Sequence, residues 1–199
     1  LRRGATPFVQ VGRWVDGVDA DWVGIDDYAA GRDVGRHVAD CGYRRVAVLG
    51  GPRNSGISRG RARGALDALR DAGLVVVNVP EVWGPLTRDS GAARAEELFN
   101  GSPDIDAVLC VNDVIALGVL DVCHKQGRRV PEDIAVTGID DMSFSSAGPL
   151  QLTTVSVPMR LMGSRATEIL LRRIQGDRRP SVREALPHSL TIRKTTAPR

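Results

Sequence analysis

Short apolar runs alternate with longer amphipathic stretches along the chain, and no other feature constrains the fold as strongly. The runs "RVAVL" (45–49), "AVLCV" (107–111) and "IAVTGI" (134–139) are apolar at nearly every position. A strand with one wet face alternates apolar and polar residues. A strand apolar on both sides is buried on both, as in a parallel sheet covered by helices. The stretches between them have helical spacing. In "DDYAAGRDVGRHVADCGY" (26–43), Val34, Val38 and Cys41 share a face and Gly42 offers a stop. Residues 58–73, 88–100, 113–126 and 159–176 read as further helices, the last with Met162, Ala166, Ile169, Leu170 and Ile174 facing inward. "FVQVG" (8–12), 74–83, 152–157 and 186–196 read as additional extended segments. The predicted fold is therefore α/β, with parallel sheets flanked by helices. The aromatic content of 4% means that Val, Leu, Ile and Ala must fill its core.

Open α/β sheets bind ligands outside the carboxyl ends of their strands. Three such ends here carry special residues: Gly50–Gly51, Asn112–Asp113 and Asp140–Asp141. In a parallel sheet these ends lie along one edge. Asn112 and Asp113 pose a choice, since one of them should cap the next helix and the other can meet a ligand. Pattern alone leaves that choice open.

Other constellations are weaker. "GPRNSGIS" (51–58) has the glycine spacing of a phosphate-binding loop, but Ile57 stands where its lysine should be, which argues against ATP or GTP. "SRGRARG" (58–64) sets Arg59 and Arg63 on one helix face and Arg61 on another; it is either a solvated arginine face or a presented fork of donors. His37, His124 and His188 lack metal spacing, and no nucleophile motif occurs. No cofactor and no enzyme activity are expected. The net charge of +3 does not argue for nucleic-acid binding on its own, and 25 of the 27 basic residues are arginine, so an arginine run is a habit of this chain. Cys41, Cys110 and Cys123 read as buried hydrophobes of a reduced, cytoplasmic protein. No apolar run is long enough to span a membrane.

Two longer motifs carry a family likeness. N-D-x-x-A-x-G spans 112–118 and V-P-E-D-I-A-V-x-G-x-D-D spans 130–141; "TPFVQVGR", "SRGRARGALDAL", "LTTVSVPMRLMG" and "LPHSLTIRKTTAP" accompany them. In this order they resemble the effector-binding core of the lactose/galactose-repressor family of bacterial transcription regulators, over essentially the whole chain. The resemblance implies a periplasmic-binding-protein-like core of two lobes joined by crossovers, with a sugar- or nucleoside-sized effector in the cleft. It places a partial N-terminal lobe at 1–24, the C-terminal lobe at 25–153, a crossover back at 154–180, and the last strand of the C-terminal lobe at 181–199. It implies a homodimer that meets operator DNA through an N-terminal head lying outside this sequence.

Site residues follow one by one. Arg61, Asn112 and Asp140 match the family's effector-gripping arginine, asparagine and aspartate, and the likeness thus gives the ligand to Asn112 and the helix cap to Asp113. Leu86 falls near an aromatic that stacks on the effector, and Trp83 is close enough to replace it. Arg13 keeps a family arginine, whereas Gly12 departs from the usual aspartate. Leu117, Leu120 and Phe144 fall where a dimer contact is expected. Two rival readings stand beside this one: a periplasmic sugar receptor, and an α/β enzyme acting on a sugar or nucleotide.

Overall fold

The computed structural model describes residues 6–15, 17–77, 83–147 and 150–199. The chain divides into two compact units. One comprises residues 1–26 and 157–188, the other 27–156 and 189–199.

The smaller unit is a three-stranded parallel sheet, β1 (Val9–Val11), β2 (Asp21–Gly24) and β8 (Arg183–Ala185), with β2 central. Helix α5 (Met159–Ile174) packs on β1 and β2 and buries Met162, Ala166 and Ile169. Ile174, expected to face inward, is the last residue of α5 and is 62% exposed. The sequence reading missed β2 and β8, because a strand of three or four residues shows too little periodicity. Asp21 is buried within β2, where Arg173 donates to both its oxygens at 2.7 Å and the backbone N–H of Val182 adds a third bond. The sequence reading groups residues 181–188 with the final strand. They stay with this unit instead, because β8 hydrogen-bonds along β2.

The larger unit holds a six-stranded sheet in the order β4 (Val75–Val76), β3 (Arg45–Leu49), β5 (Ala107–Cys110), β6 (Ala135–Asp140), β7 (Thr153–Ser156), β9 (Ser189–Thr191). All neighbours are parallel except β7 and β9. The expected strand at 186–196 is thus shorter and closes the sheet antiparallel. The expected strand at 74–83 yields only β4, and its residues 78–82 lie outside the described residues. From β3 the chain crosses to one side through α2 (Gly56–Asp71), and from β5 to the other through α4 (Asp113–Lys125). Right-handed crossovers in opposite directions put these helices on opposite faces. Accordingly α1 (Asp27–Asp40) packs with α2, and α3 (Arg88–Gly101) with α4.

Each helix pair touches through glycine. A Cβ on Gly64 would lie 2.0 Å from the Tyr28 carbonyl, and one on Gly118 2.0 Å from that of Arg88. Between the layers Val46, Leu49, Leu109, Ile115 and Ile134 are buried. Each such side chain contributes about 1.5–3 kcal/mol by leaving water. The direction of winding reverses between β3 and β5, the place where sheets of this kind hold ligands.

Candidate effector-binding site

At the carboxyl end of β5 a buried guanidinium organises the site. Arg61 is 7% exposed and comes from the inner face of α2. Its Nε donates to Asp27 Oδ1 at 2.8 Å; its Nη1 donates to Asp140 Oδ1 at 2.8 Å and to the Val111 carbonyl at 2.9 Å. The solvated reading of the arginine run holds for Arg63 but not for Arg61. Helical spacing separates them: residues 58, 61, 62, 65, 68 and 69 face the protein, so Arg61 must be buried if α2 packs at all.

Burial disfavours the charge on Arg61, and the two carboxylates more than offset this, so the guanidinium stays protonated. Burial also dominates at Asp140 and pushes its carboxyl above the ordinary range, with Arg61 opposing. Asp140 and Asp141 adopt φ of 128° and 53°, conformations that cost a non-glycine residue about 1–3 kcal/mol each. The ion pairs hold both in place, Asp140 to Arg61 and Asp141 to Arg193 at 2.6 Å. The neighbouring aspartates thus bind different cations and form no acid–base pair.

The cap falls to Asn112, where the sequence reading gives it to Asp113. Asn112 caps α4, its Oδ1 accepting from the Ile115 N–H at 2.9 Å. Asp113 is fully buried and accepts from Met142 N at 2.8 Å, Ser145 Oγ at 2.6 Å and Thr154 Oγ1 at 2.6 Å. It binds the start of α4 to β7 and to the loop after β6. The cap position is set by where helical geometry begins, one residue earlier than the sequence reading placed it. Asn112 Nδ2 has no partner among the described residues.

Gly50 and Gly51 bring Trp83 and Leu86 to the end of β3. A Cβ on Gly50 would lie 2.7 Å from the Trp83 ring, and one on Gly51 2.5 Å from Leu86 Cδ2. Trp83 also lines a pocket of about 540 Å³ with Tyr28, Arg59, Arg63 and Arg70, on the outer stripe of α2 and away from the face that carries Arg61. Leu86 is 40% exposed. Arg13 lies in the smaller unit, exposed and directly after Gly12, whose φ is 69°. Leu117, Leu120 and Phe144 are half-buried on the larger unit.

Two residues of this edge carried no signal in the sequence. Asp27 reads as a helix-start acid, yet it shares Arg61. Arg94, an apparent surface residue of an amphipathic helix, is buried and donates to the Gly50 carbonyl at 2.7 Å and the Ser90 carbonyl at 3.0 Å. No set of three or more His, Cys, Asp or Glu is placed to hold a metal among the described residues. The cysteines are free and buried; burial pushes the Cys123 thiol up to about 12 and that of Cys110 further. His37 bonds Thr196 Oγ1 at 2.9 Å, and burial pushes its imidazole down. No helix of the described residues is long and apolar enough to cross a membrane.

A doubly wound sheet with a buried charge cluster at its switch point defines an α/β ligand-binding domain. The chain belongs to the periplasmic-binding-protein-like domain family, whose model matches residues 36–196. It is 34% identical over 98% of its length to the HTH-type transcriptional regulator CelR of Thermobifida fusca, and 28% identical over 98% to the HTH-type transcriptional repressor CytR of Escherichia coli K12. It spans 58% and 57% of those two proteins. The solved structure of a CelR–cellobiose complex superposes with a TM-score of 0.86 at 34% identity, covering 95% of this chain and 58% of the other.

Proposed function

We propose that this chain is the effector-binding region of a bacterial transcription regulator, with no enzymatic role of its own. The observation that carries the reading is the Arg61–Asp140 pair at the strand ends of the larger unit: Arg61 is buried, Asp140 half-buried, and the bond between them uses Nη1 and Oδ1, so that Nη2 and Oδ2 can serve a ligand as donor and acceptor. A sugar or nucleoside hydroxyl can use both at once. An analogue lacking that hydroxyl leaves a desolvated group unpaired, which gives such sites their discrimination. Kinship with CelR, whose structure contains cellobiose, supports a saccharide among hydroxylated ligands. Asn112 contributes Nδ2, and Leu86 an apolar contact. The two compact units correspond to the two lobes of the family, with Leu117, Leu120 and Phe144 in a homodimer contact. The regulator acts in the cytoplasm on operator DNA through a separate head. Effector shifts its equilibrium between states by no more than its difference in affinity for them.

Calorimetric titration with cellobiose, ribose and adenosine tests the reading. At least one should bind, and Asp140→Asn should weaken it by about tenfold or more, as expected for a lost charge-assisted hydrogen bond. Turnover of a bound ligand would move the protein to the enzyme reading. No binding by any of the three would remove the assignment.

A further inference from the structure

Arg61 invites an anionic ligand if read alone, as a buried guanidinium at a strand end. Its surroundings say the opposite. The guanidinium is shared between two carboxylates, Asp27 on Nε and Asp140 on Nη1, each at 2.8 Å. All three side chains are largely withdrawn from solvent, at 8%, 16% and 17% exposure. With the three groups ionised the cluster carries one net negative charge, in a place where water screens poorly. An incoming carboxylate or phosphate would meet a cation already neutralised twice over and a carboxylate with no second cation. A hydroxyl would meet one donor and one acceptor side by side.

We propose that Asp27 determines the charge specificity of this site: by occupying Nε of Arg61 it makes the site select neutral hydroxylated ligands and reject their acidic counterparts. This deepens the effector-binding reading above and rests on it. Asp27 stands at the first position of α1, and Arg61 reaches it because α1 and α2 pack closely at Gly31 and Gly64. The geometry also separates the work of the two carboxylates. Asp140 lies on a strand end and retains Oδ2 for a ligand hydroxyl. Asp27 binds the opposite side of the guanidinium, sets its plane and removes its net charge without needing to touch the ligand.

Matched neutral and acidic probes test this: cellobiose against cellobionate, and adenosine against adenosine 5′-monophosphate, each titrated into the unaltered chain, Asp27→Asn and Asp27→Glu. The unaltered chain should bind the neutral member of a pair at least about tenfold more tightly, the effect of one uncompensated charge a few ångströms away at a partly buried site. Asp27→Asn should narrow that ratio to within about threefold, mainly by strengthening the acid, because it frees a donor and removes a negative charge. Asp27→Glu, which keeps the charge, should preserve the neutral preference. A merely structural role for Asp27 would weaken both members of a pair alike and leave the ratio unmoved. Where Asp27→Asn does not fold, as judged by its circular-dichroism melt, Asp27→Ser is titrated in its place and the same narrowing of the ratio is expected. Equal affinity of the unaltered chain for the two members of a pair overturns the proposal, as does an Asp27→Asn ratio unchanged within twofold; in both cases the effector-binding reading stands. Absence of binding by all four probes and by ribose instead removes that reading.

Discussion

At the scale of single residues, Asn112 and Asp113 show how position outranks residue type. Both are good cap residues, and sequence alone could not say which one caps. In the folded chain Asn112 forms one cap bond, while Asp113 accepts three buried donors from β7 and the loop after β6. The energetic consequences differ accordingly. Asn112→Ala should cost about 1 kcal/mol, the ordinary value of a lost cap. Asp113→Ala should cost about 3 kcal/mol or more, because a fully buried acceptor disappears and three donors lose their partner. Urea unfolding monitored by circular dichroism checks the order, and equal costs would contradict the assignment. Arg61 teaches the same lesson from the other side. Its spacing from Arg59 and Arg63 already separated it from them, but only packing showed that its separate face is the buried one.

At the scale of elements, the helix pairs depend on backbone approaching backbone. α1 and α2 meet where Gly64 passes the Tyr28 carbonyl, and this contact holds Asp27 within reach of Arg61. Gly64→Ala should destabilise the chain by about 1–3 kcal/mol, since neither backbone can move aside without repacking the helix layer. Gly163, in the interior of α5, has open space where its Cβ would stand. Gly163→Ala should therefore stabilise by about 0.5–1 kcal/mol through helix propensity alone. Thermal melts of the two variants should move in opposite directions, and a shared direction would show that packing does not govern these positions. The same physics explains which elements were legible beforehand. Strands β3, β5 and β6 show uninterrupted apolar runs because both their faces are covered. β2 and β8 are short and carry charged residues such as Asp21 and Glu184, and are held by pairing rather than by pattern.

At the scale of the whole molecule, one carboxyl of each unit answers acid with opposite sign. The smaller unit is anchored by Asp21, whose carboxyl is held below the ordinary range chiefly by the Arg173 hydrogen bonds. A carboxyl with a lowered folded pKa stabilises above its unfolded value, 3.8 here, and that contribution is lost as the pH falls through the folded value. Asp140, with its raised carboxyl, has the opposite sign: its protonation relieves the cost of burial as the pH falls. Hydrogen exchange followed by mass spectrometry should therefore show protection in β2 and α5 falling first as the pH drops below 4, after correction for intrinsic exchange rates, while β5 and β6 stay protected. Asp21→Asn should weaken that dependence. Uniform loss across both units would refute it. The sequence by itself determined the alternation of strand and helix, the parallel character of the main sheet, and the strand-end edge where special residues gather, because each is written in local periodicity and in the order of elements along the chain. Only the tertiary structure decided that Arg61 joins Asp27 and Asp140, that Asn112 caps while Asp113 ties three elements together, and that Trp83 lies against Gly50. Those outcomes depend on which faces are buried and on distances between residues as many as 79 positions apart, and no local pattern encodes such distances.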